Sequence, residues 1–195
     1  MKGKIKDGRT LRAENRRKLF FETLLSFYED GIYDPSIKEI EERSGISRRT
    51  IHHLYTNFEG IAMGLTEYLT PIQSPLYKFK PSQKSLEERV TDMVIHRSKL
   101  FEAIAPTNRA ASHHLPRTKY AKKEQSRLAK LLRKQVTLQF EKELAKAPDH
   151  LIEILDMLTC WETWERLRTK QKQGIKKSIK IVSEMILMQI QAALQ

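Results

Sequence analysis

Along most of this 195-residue chain the apolar residues recur at intervals of three and four, a spacing that suits helices and leaves little room for strands. Leu86, Val90, Met93, Val94, Leu100 and Phe101 line one side of such a stretch. Ser85 opens it with a capping oxygen, and Glu87 and Glu88 supply an acidic first turn. The few glycines and prolines fall mostly between periodic stretches, where they punctuate helices. The pattern predicts helices over 13–30, 36–44, 47–55, 58–68, 85–104, 118–144, 148–171 and 175–194, with a short irregular or helical piece between Pro106 and Pro116. Pro71, Pro75 and Pro81 concentrate in 70–82, which divides a head, 13–69, from a body, 83–195. The expected fold is all-α: a small helical head and a larger helical-bundle body that dimerises through its last two long helices.

Charge narrows the partners. Thirty-six Lys and Arg against 24 Asp and Glu give a formal +12, which favours a polyanion such as nucleic acid or an anionic membrane surface. Eight of the basic residues, Lys2, Lys4, Lys6, Arg9, Arg12, Arg16, Arg17 and Lys18, face only Asp7 and Glu14 in the first 20 positions. Residues 1–12 are therefore read as a disordered basic arm able to reach phosphates or a minor groove. No run approaches a membrane span, and the basic start has no apolar segment behind it. The single cysteine, Cys160, reads as a small apolar filler in a reducing compartment. The expectation is a cytoplasmic protein with no membrane partner.

The most informative stretch runs from Ile37 to Tyr55. Ile37, Ile40, Ile46, Ile51 and Leu54 lie where two crossed helices bury a shared core, and Gly45 falls where the turn between them needs a positive φ. Ser47 can cap the second helix. An ordinary helical hairpin shares the glycine but not the whole set of spacings. At 100° per residue, Ile51, Leu54 and Tyr55 define the inner arc, leaving Arg49, His52 and His53 outward, with Arg48 and Thr50 on the flanks. Arginine can pair with guanine in the major groove, and hydroxyl and imidazole groups can meet phosphates or base edges. The candidate DNA-contacting residues are Lys38, Ser47, Arg48, Arg49, Thr50, His52, His53 and Tyr55.

The order of these segments resembles the TetR family of bacterial transcriptional regulators. Arg16 to Leu25, Asp30-Gly31-Ile32-Tyr33, Ser36-Ile37-Lys38-Glu39-Ile40, Arg43-Ser44-Gly45-Ile46-Ser47 and Thr50-Ile51 follow that family's pattern, over about 16–69. The resemblance implies a three-helix DNA-binding head with a helix-turn-helix, a connecting helix, and a helical body that dimerises and often holds a small-molecule pocket. Four departures stand out: Glu41 at a tight helix crossing where the family has a small residue, Arg48-Arg49 for the usual Lys-Gly, His52 and His53 for tyrosines that commonly touch phosphate, and Phe58 for the lysine before Glu59. Glu41 must either swing to solvent or pair with an arginine.

In the body, 148–171 and 175–194 carry apolar residues on more than one face each, enough for a core and a partner copy. Met93, His96, Phe101, Trp161 and Trp164 are the candidate lining of a pocket for a small apolar or amphipathic effector, with plain core packing as the alternative. His52-His53 and His113-His114 are adjacent pairs that point to different helix faces, and no zinc spacing, phosphate-binding glycine loop or nucleophile elbow occurs, so neither an enzyme, a metal nor a cofactor is expected. The reading is a homodimeric, TetR-like repressor of duplex DNA released by an effector. An effector-independent architectural or partner-controlled DNA-binding protein is the alternative, and a helical protein–protein adaptor is a third reading.

Overall fold

The structure, a computed structural model, describes residues 8–55 and 57–195. Among these residues all regular structure is helical. In chain order the helices are α1 (Gly8–Glu29), α2 (Ile37–Ser44), α3 (Arg48–Leu54), α4 (Phe58–Gln73), α5 (Leu86–His114), α6 (Lys119–Gln139), α7 (Glu141–Leu144), α8 (Leu151–Leu158), α9 (Trp161–Glu165) and α10 (Ile175–Ala193). Short 3-10 turns occupy Ser74–Tyr77 and Leu115–Arg117, and a π turn follows α9 over Arg166–Lys170.

Two compact units result. The first holds residues 8–73 together with Ala105–Lys123, and the second Ser74–Ile104 with Glu124–Gln195. The segment 105–123, read from sequence as part of the body, thus packs in the first unit. α1 also starts at Gly8, inside the stretch read as an arm, while residues 1–7 of that arm lie outside the described residues.

The first unit is built on α1, whose Phe20, Phe21, Leu24, Phe27 and Tyr28 repeat at helical spacing and are all buried. Ile40 of α2, Ile46, Ile51 of α3 and Ala110 of α5 join them. Tyr55 stacks on Phe20 with centroids 4.7 Å apart, and Tyr68 of α4 stacks on Phe21 at 5.5 Å. α1 and α4 approach closely at Gly64: a Cβ there would lie 2.7 Å from Phe21 Cζ. α1 ends where Gly31 takes φ 78°, with Ile32 N donating to Phe27 O and Gly31 N to Tyr28 O, the paired bonds of a Schellman stop.

In the second unit Val90, Met93 and Val94 of α5 pack with Val136, Phe140, Leu151, Leu155, Leu167 and Val182, Ile186 and Ile190 of α10. A second cluster joins Leu100, Phe101, Ile104 and Trp164. α5 is clamped to α7 by a buried ion pair, in which Arg89 donates to both Glu143 oxygens at 3.0 and 2.5 Å and to Gln139 O at 2.7 Å.

The helix boundaries depart from expectation at four places. α4 and α5 run through Pro71 and Pro106. A proline removes one main-chain bond and crowds the preceding turn; Ile104, two residues before it, and Ala110, four after it, are each buried in the cluster of their own unit. The expected helix over 118–144 is broken at Phe140, whose ring is fully buried and whose backbone leaves the helical region (φ −115°, ψ 26°). The expected helix over 148–171 is interrupted at Thr159 and Cys160. Thr163 Oγ1 donates to Met157 O at 2.6 Å, so a hydroxyl satisfies the carbonyl that the next turn of a continuing helix would have used, while Leu155 O keeps its helical bond from Thr159 N at 3.1 Å and takes a second from Thr159 Oγ1 at 2.8 Å. Cys160 turns extended (φ −82°, ψ 166°).

Candidate nucleic-acid interface

α2 is capped at both ends. Ser36 Oγ accepts from Glu39 N at 3.3 Å while Ser36 N donates to Glu39 Oε2 at 2.8 Å, a reciprocal capping box. At the other end Gly45 takes φ 70° and its N–H donates to Glu41 O, a left-handed stop that a side chain would strain. Ser47 then starts α3 in an extended conformation, its Oγ accepting from Thr50 N at 3.4 Å and lying 3.0 Å from Thr50 Oγ1. Ile40, Ile46 and Ile51 are buried beneath this turn.

Two arginines fasten the pair of helices. Arg43 donates to Asp30 at 2.7 Å and Ser26 at 3.2 Å and lies over the Phe27 ring at 3.6 Å, which ties α2 to the end of α1. Arg48 donates through Nε to Glu41 Oε2 at 2.7 Å and through its main-chain N to Glu41 Oε1 at 3.1 Å. Glu41 therefore pairs with an arginine. These bonds, the side-chain one first, hold its carboxyl below the usual carboxylate range.

The eight candidate contact residues do not form one class. Arg49, His52 and His53 are exposed together on α3, and no described residue makes a hydrogen bond or ion pair with them. Arg48 is exposed too, but its guanidinium is held by Glu41. Ser47 caps the helix, and Thr50 is half-buried against it. Lys38 is exposed on α2, 3.7 Å from Glu42. The Tyr55 ring belongs to the core of the unit, and burial pushes its hydroxyl pKa up.

Sequence reasoning missed the contacts that hold 114–120 within this unit. His114 Nε2 lies 2.5 Å from Tyr33 O, Arg117 donates to Asp34 at 2.8 Å and sits over the Phe58 ring, and Glu59 accepts from the main-chain N–H groups of Lys119 and Tyr120 at 3.1 and 2.8 Å. Glu59 thus supplies an acceptor to the open N-terminus of α6. The partners lie 59 to 83 positions apart in the chain, so no local pattern announces them.

In the second unit, three of the five candidate pocket residues meet: Phe101 and Trp161 stand edge to face at 5.9 Å, and Trp164 joins their cluster while its Nε1 donates to Glu102 at 2.8 Å. Met93 lies in the neighbouring cluster, and His96 packs on Phe79 with Nε2 3.1 Å from Lys78 O. Burial lowers the His96 pKa. Among the described residues there is no group of three or more His, Cys, Asp or Glu able to hold a metal ion, and no helix is long and apolar enough to cross a membrane.

No protein-family model, curated protein or solved structure matches this chain.

Proposed function

We propose that this chain is a sequence-specific, TetR-like regulator of transcription that binds duplex DNA as a homodimer, with α2 and α3 as a helix-turn-helix and α3 entering the major groove. The observation that carries the reading is the uncommitted cationic and imidazole face of α3. Arg49, His52 and His53 stand exposed on a short helix whose own start is fixed by Ser47, by Gly45 and by the Glu41 carboxylate. A groove-reading helix needs this combination: a rigid frame below, and donors above that have no partner to surrender among the described residues. The net charge of +12 supplies the long-range attraction.

The homodimer rests on apolar side chains left exposed in the second unit, Met157 on α8 and Met185 and Met188 on α10, at 59%, 37% and 60%. A repressor released by a small molecule, working in the cytoplasm, completes the proposal. A second reading, DNA binding without an effector, draws on the near-complete burial of Met93, Phe101 and Trp164, which pack as core.

Selection of duplexes from a random pool, followed by titration of the winner and a scrambled duplex at moderate salt, tests the proposal. A preferred sequence with two related half-sites is expected. Equal binding of both duplexes would favour an architectural role, and no binding at all would favour an adaptor.

A further inference from the structure

Arg97 is the largest of the fully buried side chains, 2% exposed, and it is a cation. Its NH1 donates to Gln135 Oε1 at 2.8 Å and its NH2 to Leu132 O at 2.9 Å, both neutral acceptors. Its Nε is buried without a partner, and no described carboxylate comes within ion-pair distance of it. Asp156 acts on it only through space, and that carboxylate is bonded to Arg133 at 3.3 Å. A guanidinium has five N–H donors, so those not used here include the Nε–H that forms one tine of the side-on fork for a carboxylate. Burial disfavours the charge enough to bring its pKa down to about 10, so Arg97 is still a cation at neutral pH, in a place where an unpaired charge is costly.

The surroundings define what could relieve it. Gln135, which accepts from Arg97, donates in turn to Tyr77 O at 2.6 Å. Tyr77, Leu132 and Trp161 are half-buried and form the outer layer of the cluster whose inner layer includes Phe101 and Trp164. Phe101 lies one helical turn from Arg97 on α5, so the aromatic cluster and the guanidinium share a face of that helix. A charged end and an aromatic, partly solvent-reaching end adjoin each other in one unit.

We propose that the second unit binds a small organic carboxylate carried on an apolar body, the carboxylate pairing with Arg97 and the apolar part entering among Tyr77, Phe101 and Trp161. The site deepens the effector part of the proposed function, on which it rests, and does not depend on the DNA-binding part. The ligand supplies the missing counter-charge, and the half-buried outer layer yields to admit it.

Both tryptophans of the chain, Trp161 and Trp164, belong to this cluster, so intrinsic fluorescence reports on it directly. The full chain, free of DNA, is titrated with octanoate and 4-phenylbutyrate and, as uncharged matches, 1-octanol and 4-phenylbutanol. Fluorescence is followed and calorimetry checks stoichiometry. Saturable one-to-one binding of at least one carboxylate is expected, with its alcohol weaker by about tenfold or more, because the charge-assisted bond is lost. Arg97→Gln should bring the carboxylate down to the level of the alcohol and leave the alcohol unchanged. The proposal is overturned if neither carboxylate saturates, if acid and alcohol bind alike, or if folded Arg97→Gln binds the acid as the wild type does. Should that variant not fold, the acid–alcohol comparison on the wild type decides alone. Because no DNA is present, failure here leaves the DNA-binding proposal standing, and the reverse holds.

Discussion

The Glu41 carboxylate grips Arg48 twice, at Nε from 2.7 Å and at the main-chain N–H from 3.1 Å, so a single side chain of α2 holds both the backbone and the side chain of the first residue of α3. Its neighbour Arg49 has no such hold. Two adjacent arginines, indistinguishable in type, therefore do different work: Arg48 braces the turn, and Arg49 is available to a partner.

Glu41→Gln should release Arg48 and remove a negative charge beside α3. The slope of log affinity against log salt on a random duplex should then steepen by about one contact's worth. Because Arg48 lowers the Glu41 pKa, the wild-type pair contributes stability above the ordinary carboxylate range and loses it as pH falls through the lowered value. Wild type and variant should melt alike in strong acid, and anisotropy titrations at several salt concentrations check the slope.

Arg49→Ala removes an exposed side chain with no partner among the described residues, so the melting temperature should hold. On the selected duplex the loss should be about 1–3 kcal/mol, confined to one base pair per half-site if Arg49 reads a guanine. A uniform loss across all duplexes would mean a phosphate contact, and no loss would remove α3 from the interface.

Gly64→Ala places a Cβ 2.7 Å from Phe21 Cζ and 2.9 Å from Tyr55 Cε1, so close that the rings must shift. Thermal melting should show destabilisation of about 1–3 kcal/mol. Gly60→Ala, whose Cβ would meet only Asn57 Oδ1 at 3.5 Å, should instead stabilise by about 0.5–1 kcal/mol through helix propensity. Equal effects at the two positions would contradict the close approach of α1 and α4.

Glu143→Ala strips the buried Arg89 of its counter-ion and should cost about 3 kcal/mol or more near neutral pH. Arg89 holds the Glu143 pKa below its ordinary value, so the pair's contribution is complete above the ordinary carboxylate range and disappears as the carboxylate takes up a proton. The gap between wild type and variant in denaturant titrations should narrow as pH is lowered through about 4. A gap independent of pH would mean that packing, not charge, supplies the clamp.

Met188→Lys should yield monomers that melt as a folded unit, because Met188 is 60% exposed on α10. Ile186→Lys should unfold the protein instead, since Ile186 is fully buried within the same unit. Sedimentation separates the two. Wild-type protein that sediments as a monomer at micromolar concentration would defeat the dimer.

Helical periodicity, the capping serines and Gly45 were legible in the chain because each acts within a few residues: a 3.6-residue repeat selects the helix, Ser36 and Ser47 satisfy the first N–H groups, and only glycine enters the left-handed region cheaply. The outward set on α3 followed from the same repeat. Local reading failed where distant packing outweighed a local preference. Pro106 signals a stop, but α5 runs through it between the buried Ile104 and Ala110; nothing in Thr159-Cys160 signals a stop, but α8 ends there, with the Thr163 hydroxyl on the Met157 carbonyl.

The sequence by itself determined the helical class, the three-residue turn between α2 and α3 and the excess of cations, since all three depend on residue type and short-range spacing. Only the tertiary structure decided which cations are free. Glu41 claims Arg48 across the turn, Arg97 is buried with no carboxylate among the described residues bonded to it, and Ala105–Lys123 packs in the first unit. Whether a charge is paired or stranded depends on which groups folding brings within a few ångströms, and those groups lie many positions away in the chain.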